Sequence, residues 1–355
     1  MTNYLLAGGG TAGHVNPLLA LADAIKADSN QHGVWALGTA EGLEKELVPA
    51  RGYELLTVPR LPFPRKVNRY AIGFPRAFSK AIELCQKYLA EHKIDVVVGF
   101  GGYASAPAYI AAKRSGVPVV IHEANALPGW ANKMAAPFAA AAGVAFKGTP
   151  LKNAKFVGMP LRKEIEVLAQ GSDKAKARKY FGLDENTLTL LVTGGSLGAR
   201  KINQTIDESR GVLNAAGIQV LHIVGGKSEF EELKQAEYVR IKYCDRMDLA
   251  IAASDFAVTR AGASTVSEFA AVGLPAAYVP YPVGNGEQKL NVRGLVAAGG
   301  GIMVTDQEFT PEFVSSTLVP LISNSKELAK MREMAKAEGI ADGTARLFAL
   351  VQGVL

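Results

Sequence analysis

Apolar residues in this chain come in short unbroken runs that end in glycine, each followed by a stretch with helical spacing. Tyr4-Leu5-Leu6-Ala7 runs into Gly8-Gly9-Gly10-Thr11-Ala12-Gly13, and a helical pattern follows over residues 17–27. Short apolar runs bounded by turn residues predict buried strands. By the same reasoning strands are expected at residues 33–37, 95–99, 117–122 and 143–145, with helices at 76–91 and 106–114 between them. Alternation of this kind predicts a parallel sheet with helices on both faces. The pattern then restarts. After a polar stretch, 170–179, the apolar run 188–193 ends in Gly194-Gly195-Ser196-Leu197-Gly198-Ala199-Arg200, and further strands are expected at 219–224, 256–259, 275–279 and 301–304. A second strand, glycine loop and helix predicts an α/β protein of two Rossmann-like doubly wound parallel-sheet domains facing a central cleft, rather than one large sheet. Gly158 and Pro160 punctuate the chain near the expected boundary, so the domains are drawn as 1–162 and 163–343, with a last helix, 344–355, returning to the first.

A chain of 355 residues has room for two such cores. Cys85 and Cys244 lie far apart, which offers neither a disulfide framework nor metal-ligand spacing and suits a reducing compartment. Residues 1–7 lack the features of a secretory signal, and no run approaches the ~20 apolar residues of a spanning helix, so a soluble or membrane-surface protein is expected. The net charge of +6 is unevenly placed: residues 1–162 hold 18 Lys and Arg against 10 Asp and Glu. No acid occurs in 55–82, where Arg60, Arg65, Lys66, Arg69, Arg76 and Lys80 are interleaved with Leu61, Phe63, Tyr70, Ile72, Phe74 and Phe78. That mixture suits an anionic bilayer surface. It suits equally a solvated helix whose aromatics face the core.

The glycine loops carry the chemistry. Residues 8–14 follow a strand, where glycine lets backbone N–H groups approach an anion beside a helix N-terminus. No Lys-Ser/Thr follows as in a Walker loop, and the second strand closes on Leu37-Gly38-Thr39-Ala40 without the acid of a dinucleotide site. Gly99-Phe100-Gly101-Gly102-Tyr103 and Gly194-Gly195-Ser196 are further turns at strand ends, where ligands of open α/β sheets bind. His14, with an ordinary pKa near 6.5, could take a proton from an acceptor hydroxyl or could brace the loop. His122-Glu123-Ala124-Asn125 ends another strand; Glu123 and Asn125 could hold sugar hydroxyls, or Asn125 could cap a helix. Arg260 to Glu268 puts Ser264 and Thr265 at a helix start and Glu268 one turn on, which suits a diphosphate and a ribose diol or, alternatively, a capping box. No Asp-x-Asp pair for a divalent ion is present, and neither a metal nor an organic cofactor is expected.

Together these stretches, with Gly158-Met159-Pro160-Leu161-Arg162, Gln288 and Asn291, make the chain resemble the MurG family of bacterial cell-wall glycosyltransferases from residue 4 to about residue 350. The resemblance implies a GT-B fold and inverting transfer of N-acetylglucosamine from UDP-N-acetylglucosamine to the C4 hydroxyl of an undecaprenyl-pyrophosphoryl-muramyl pentapeptide. It implies donor contacts from Thr11, Ala12, Gly13, Asn125, Arg162, Ser196, Ala263, Ser264, Thr265, Glu268 and Gln288. Gly9, Gly10, Gly101, Gly102 and Tyr103 would face the acceptor, with His14 the base and Glu123 a second candidate. A peripheral place on the cytoplasmic face, against an anionic membrane surface, is implied too, and no nucleic acid partner. Ala12, Ala124 and Leu197 stand where many members carry Gly, Gln and Gln. A UDP-N-acetylglucosamine 2-epimerase, another glycolipid transferase, or a non-catalytic sensor would share the plan; an epimerase needs several acids around the sugar, and the first-domain loops offer little beyond Glu123.

Overall fold

The computed structural model describes residues 1–355 apart from residues 65 and 67, and residue 12 by its backbone alone. The chain divides into two compact units, Met1–Arg162 with Asp342–Leu355, and Lys163–Ala341.

The first unit holds strands β1 (Asn3–Ala7), β2 (Gly33–Gly38), β3 (Glu54–Thr57), β4 (Val96–Gly99), β5 (Val119–Glu123), β6 (Ala141–Val144) and β7 (Ala154–Phe156), all parallel, in the order β3-β2-β1-β4-β5-β6-β7. Alternate side chains of the central strands enter two different cores. Leu5, Ala7, Val97 and Ile121 pack on one face of the sheet, while Tyr4, Leu6, Val96, Val98 and Val120 pack on the other. Burial on both faces is why these strands read as continuous apolar runs rather than as alternation. The helix Gly343–Gln352 closes the second face, placing Leu347 and Val351 in that core. Its first residue must be glycine, because a Cβ at Gly343 would lie 2.2 Å from the Met159 carbonyl oxygen.

The second unit repeats the plan with β8 (Leu188–Thr193), β9 (Ile218–Ile223), β10 (Leu233–Gln235), β11 (Tyr238–Ile241), β12 (Phe256–Thr259), β13 (Ala276–Tyr278) and β14 (Gly301–Met303), in the order β10-β11-β9-β8-β12-β13-β14. Only the β10–β11 pair is antiparallel. Phe256, Val258, Leu190 and Val192 form the middle of its core. The polar stretch 170–179 is partly helical: Lys174–Phe181 is N-capped by Asp173, whose carboxylate accepts from Lys176 N at 2.9 Å, and ends at a left-handed Gly182.

Strand order reverses direction between β1 and β4 in the first unit and between β8 and β12 in the second. These are the switch points at which doubly wound sheets bind ligands. The glycine turns after β1 and β4, and those after β8 and β12, stand at them.

Candidate active site

In the first unit the two glycine turns interlock. Gly102 sits at φ 83°, and a Cβ there would lie 2.7 Å from Gly9 O, so this crossing admits only glycine. A Cβ at Gly101 would lie 3.5 Å from His14 Nε2, which places the imidazole over the second turn. His14 is in the first turn of the helix Ala12–Asp28, which starts earlier than residue 17 and has Thr11 as its N-cap. Its Nδ1 is 3.0 Å from Gly9 O and 3.3 Å from Thr11 Oγ1. Tyr103 is partly exposed and stacks under the Arg60 guanidinium, 5.4 Å from the ring centre.

The expectation that this loop turns its amides to an anion is corrected at Gly10. Its N–H donates to Glu44 Oε2 at 2.7 Å, so a carboxylate of the protein already occupies that donor. Glu44 starts the helix Glu44–Ala50 and is 1% exposed; its Oε1 accepts from Thr39 N and Thr39 Oγ1, each at 2.8 Å. Burial raises its pKa, but the bonds from Gly10 and Thr39 outweigh burial and hold it below the usual carboxylate range. The acid missing from the end of the second strand thus arrives six residues later and folds back. The first-unit loops therefore hold more acid than Glu123 alone, although Glu44 points inward.

Glu123 is also buried. Oε1 accepts from Asn125 N at 2.9 Å, and Oε2 accepts from Gly129 N at 2.9 Å and Asn132 Nδ2 at 2.8 Å. Asn132 in turn accepts from Tyr109 Oη at 2.7 Å. Glu123 therefore fixes the loop carrying Asn125. Asn125 caps no helix, since the next one, Trp130–Ala135, starts from Gly129. His122 is wholly buried with Nε2 3.0 Å from Gly158 O, and burial lowers its pKa to about 4, so it stays neutral.

In the second unit the turn after β8 is built by backbone crossing backbone. A Cβ at Gly198 would lie 2.1 Å from Val224 O, and one at Gly225 would lie 2.2 Å from Gly198 N. Gly195 and Ser196 are left exposed, and Leu197 is 66% exposed. A buried polar chain holds Val224 from behind: Asn203 Nδ2 donates to Val224 O at 2.9 Å, and His222 lies between Asn203 Oδ1 (3.1 Å) and Tyr238 Oη (2.6 Å). Burial keeps His222 neutral, with a pKa lowered to about 3.

After β12, the helix Ala263–Val272 begins from Gly262 with no side-chain cap. This corrects the capping-box reading: Ser264 and Thr265 lie inside the first turn, not before it. The first-turn amides carry no side-chain cap, and Ser264 Oγ is buried with no hydrogen-bond partner. An orphaned buried hydroxyl beside such amides is a polar site for a ligand. Glu268 stands one turn on, on the same helical face as Ser264, and is 9% exposed. Arg260 bonds Asp306 and the Val279 carbonyl, and Asn291 Nδ2 donates to Ala261 O at 3.3 Å, which fixes the turn. Gln288 Oε1 accepts from Tyr281 N at 2.9 Å. Arg162, half-buried, is the last residue of the first unit before the helix Lys163–Gln170.

The model of the glycosyltransferase family 28 N-terminal domain matches residues 4–144, and that of its C-terminal domain matches residues 189–347. This chain belongs to glycosyltransferase family 28. Among family 28 relatives, a protein of Clavibacter sepedonicus is 57% identical over 353 residues, 99% of this chain and 96% of its own length. One of Streptomyces coelicolor is 48% identical over 98% of this chain and 97% of its own. Both are named UDP-N-acetylglucosamine–N-acetylmuramyl-(pentapeptide) pyrophosphoryl-undecaprenol N-acetylglucosamine transferase. The crystal structure of Acinetobacter baumannii MurG superposes with a TM-score of 0.81 at 25% identity, covering 99% of this chain and all of that one. A Neisseria meningitidis UDP-GlcNAc 2-epimerase shares the fold at 13% identity and a TM-score of 0.70. The sequence pattern does not single out Glu44, Asn132, Tyr109 or His222; the signal available for Glu44 is the pair of glycines at 38 and 42 just before it.

Proposed function

We propose that this chain transfers N-acetylglucosamine from UDP-N-acetylglucosamine to the C4 hydroxyl of undecaprenyl-pyrophosphoryl-muramyl pentapeptide, with inversion, as a step of peptidoglycan synthesis. The observation that carries the donor assignment is the start of the helix Ala263–Val272, where side-chain-uncapped amides and the orphaned Ser264 hydroxyl suit a diphosphate, and Glu268 suits the ribose diol. Full-length identity to relatives named for this transfer supports the acceptor. In this reading Ser196, Arg162, Ala263, Thr265, Gln288 and Asn125 line the donor, as do residues 11–13. Gly9, Gly101, Gly102 and Tyr103 line the acceptor side.

His14 Nε2 takes the proton of the acceptor hydroxyl as its oxygen attacks the anomeric carbon. The bond from that carbon to the diphosphate breaks, and UDP leaves with the electron pair. The helix N-terminus and the Ser264 hydroxyl balance the departing charge. Glu123 fixes the Asn125 loop.

The enzyme works at the cytoplasmic face of the membrane through the first unit. Phe63, Tyr70, Ile72 and Trp130 are exposed there, and Phe63 contacts both Phe74 and Trp130, at 5.7 and 4.9 Å between ring centres. Lys66, Arg69, Arg76 and Lys80 of the same basic segment are exposed as well; Arg65 lies outside the described residues. No helix among the described residues is long and apolar enough to cross a membrane. The test is transfer of radiolabelled N-acetylglucosamine to a short-chain lipid-linked muramyl peptide. Label in a disaccharide-lipid product is expected. Conversion of the donor to UDP-N-acetylmannosamine without acceptor would contradict the reading.

A further inference from the structure

Glu44 and His14 bond the two ends of one peptide group. Gly10 N–H donates to Glu44 Oε2 at 2.7 Å, and the carbonyl of that same peptide, Gly9 O, lies 3.0 Å from His14 Nδ1. We propose that Glu44 is the positioning residue of the His14 base and acts through the Gly9–Gly10 peptide, as a carboxylate acts by direct contact in a Ser-His-Asp triad. This deepens the reading of His14 given above and rests on it.

The chemistry follows from what each atom can do. A carbonyl oxygen only accepts, so the bond to Gly9 O sets the imidazole proton on Nδ1 and leaves the lone pair on Nε2, the nitrogen beside Gly101. An amide that donates to a carboxylate is polarised, which puts more negative charge on its own carbonyl oxygen and strengthens the bond that oxygen accepts. When Nε2 gains the acceptor's proton, the imidazolium is therefore stabilised by a carboxylate one peptide away.

The placement of Glu44 is built into the loop. A Cβ at Gly9, Gly38 or Gly42 would lie 2.3, 2.4 or 2.1 Å from the Glu44 side chain, so three glycines make the space it fills. Both oxygens are engaged, and the group is 1% exposed. It cannot reach a sugar from there, and no capping of the helix Glu44–Ala50 requires bonds to Gly10 and Thr39. On β5, His122 interacts electrostatically with His14, and Glu123 follows it at the end of the same strand. His122 is neutral, and the Glu123 carboxylate is tied to Asn125, Gly129 and Asn132.

The test is Glu44→Gln in the full chain, read by the ¹⁵N signals of the His14 ring and by the pH profile of kcat/KM. Wild type should show the Nδ1–H form. The variant should mix tautomers, move the acid limb to lower pH, and lose about tenfold or more in kcat, a part of the roughly 100- to 10,000-fold that a positioned general base contributes, with donor KM unchanged. An unaltered His14 signal and acid limb, whatever happens to kcat, would overturn the proposal and leave Glu44 a brace. Should Glu44→Gln fail to fold, Glu44→Asp keeps the charge but withdraws it from Gly10, and the same two outcomes apply. Normal turnover in His14→Ala would remove the base reading alone, since the ring signals still report whether Glu44 orients His14.

Discussion

Two glycine turns at two switch points look alike in sequence and differ in what fills them. The turn after β1 wraps a buried carboxylate, and its Gly10 amide is spent on Glu44. The turn after β8 is closed by another stretch of backbone, Val224 and Gly225, and no side-chain carboxylate enters it among the bonds of the described residues. Beside it, the helix Ala263–Val272 offers its first-turn amides and an unpartnered hydroxyl. In the proposed reading, one turn orients a base and the other stands beside a site for an anion. Glycine marks only that the backbone comes close to something; the neighbour decides the chemistry.

Acid should act on both units through one device, and this is the largest effect expected. His122 and His222 are held neutral by burial, with pKa values near 4 and 3. In the unfolded chain each protonates near 6.5, so below that pH the unfolded state binds more protons and the native state loses stability. The loss starts near pH 6.5, ends once the folded pKa is passed, and is on the order of 3 kcal/mol per histidine. Urea midpoints measured from pH 7 to pH 4 should fall steadily, and a flat profile down to pH 5 would show that these imidazoles are not neutral in the native state.

Substitution separates the two turns. His14→Ala should lower kcat about 100-fold or more while donor affinity stays put; single-turnover rates and calorimetry with UDP read the two quantities apart. Glu268→Ala should do the reverse, weakening UDP binding by about 2 kcal/mol, the scale of a hydrogen bond to a charged group. If both variants lost affinity equally, the division of labour would fail.

How much of this could be read without coordinates depends on the physics of each feature. The central strands β1, β8 and β12 are buried on both faces, so their apolar runs stood out. The missed strands, β3, β7, β10 and β11, are three or four residues long, mix polar with apolar residues, and lie at or near sheet edges. Glu44 carries no periodic signal: it lies beyond the strand it serves, and its partners are backbone amides that any residue could offer. Gly262 as the true helix start was hidden because Ser264 and Thr265 look like better caps. His222 reads as one more strand residue until Asn203 and Tyr238 are seen on either side of its ring.

The smallest effect concerns the surface that sets the units apart in charge. Changing Lys66 and Arg69 to Gln should weaken sedimentation with anionic vesicles by about 1 kcal/mol per charge. Trp130→Ser should weaken it further by removing an apolar group that the basic segment does not contain. Equal sedimentation with wild type would leave the exposed aromatics without a membrane role.

The most direct measurement is a UDP titration of the ¹⁵N-labelled chain followed by amide shifts. The backbone signals of Ala263, Ser264 and Thr265 should move as the diphosphate docks on the helix start, while the Gly10 amide, bonded to Glu44, stays where it was. Movement at Gly10 with residues 263–265 unchanged would contradict the account.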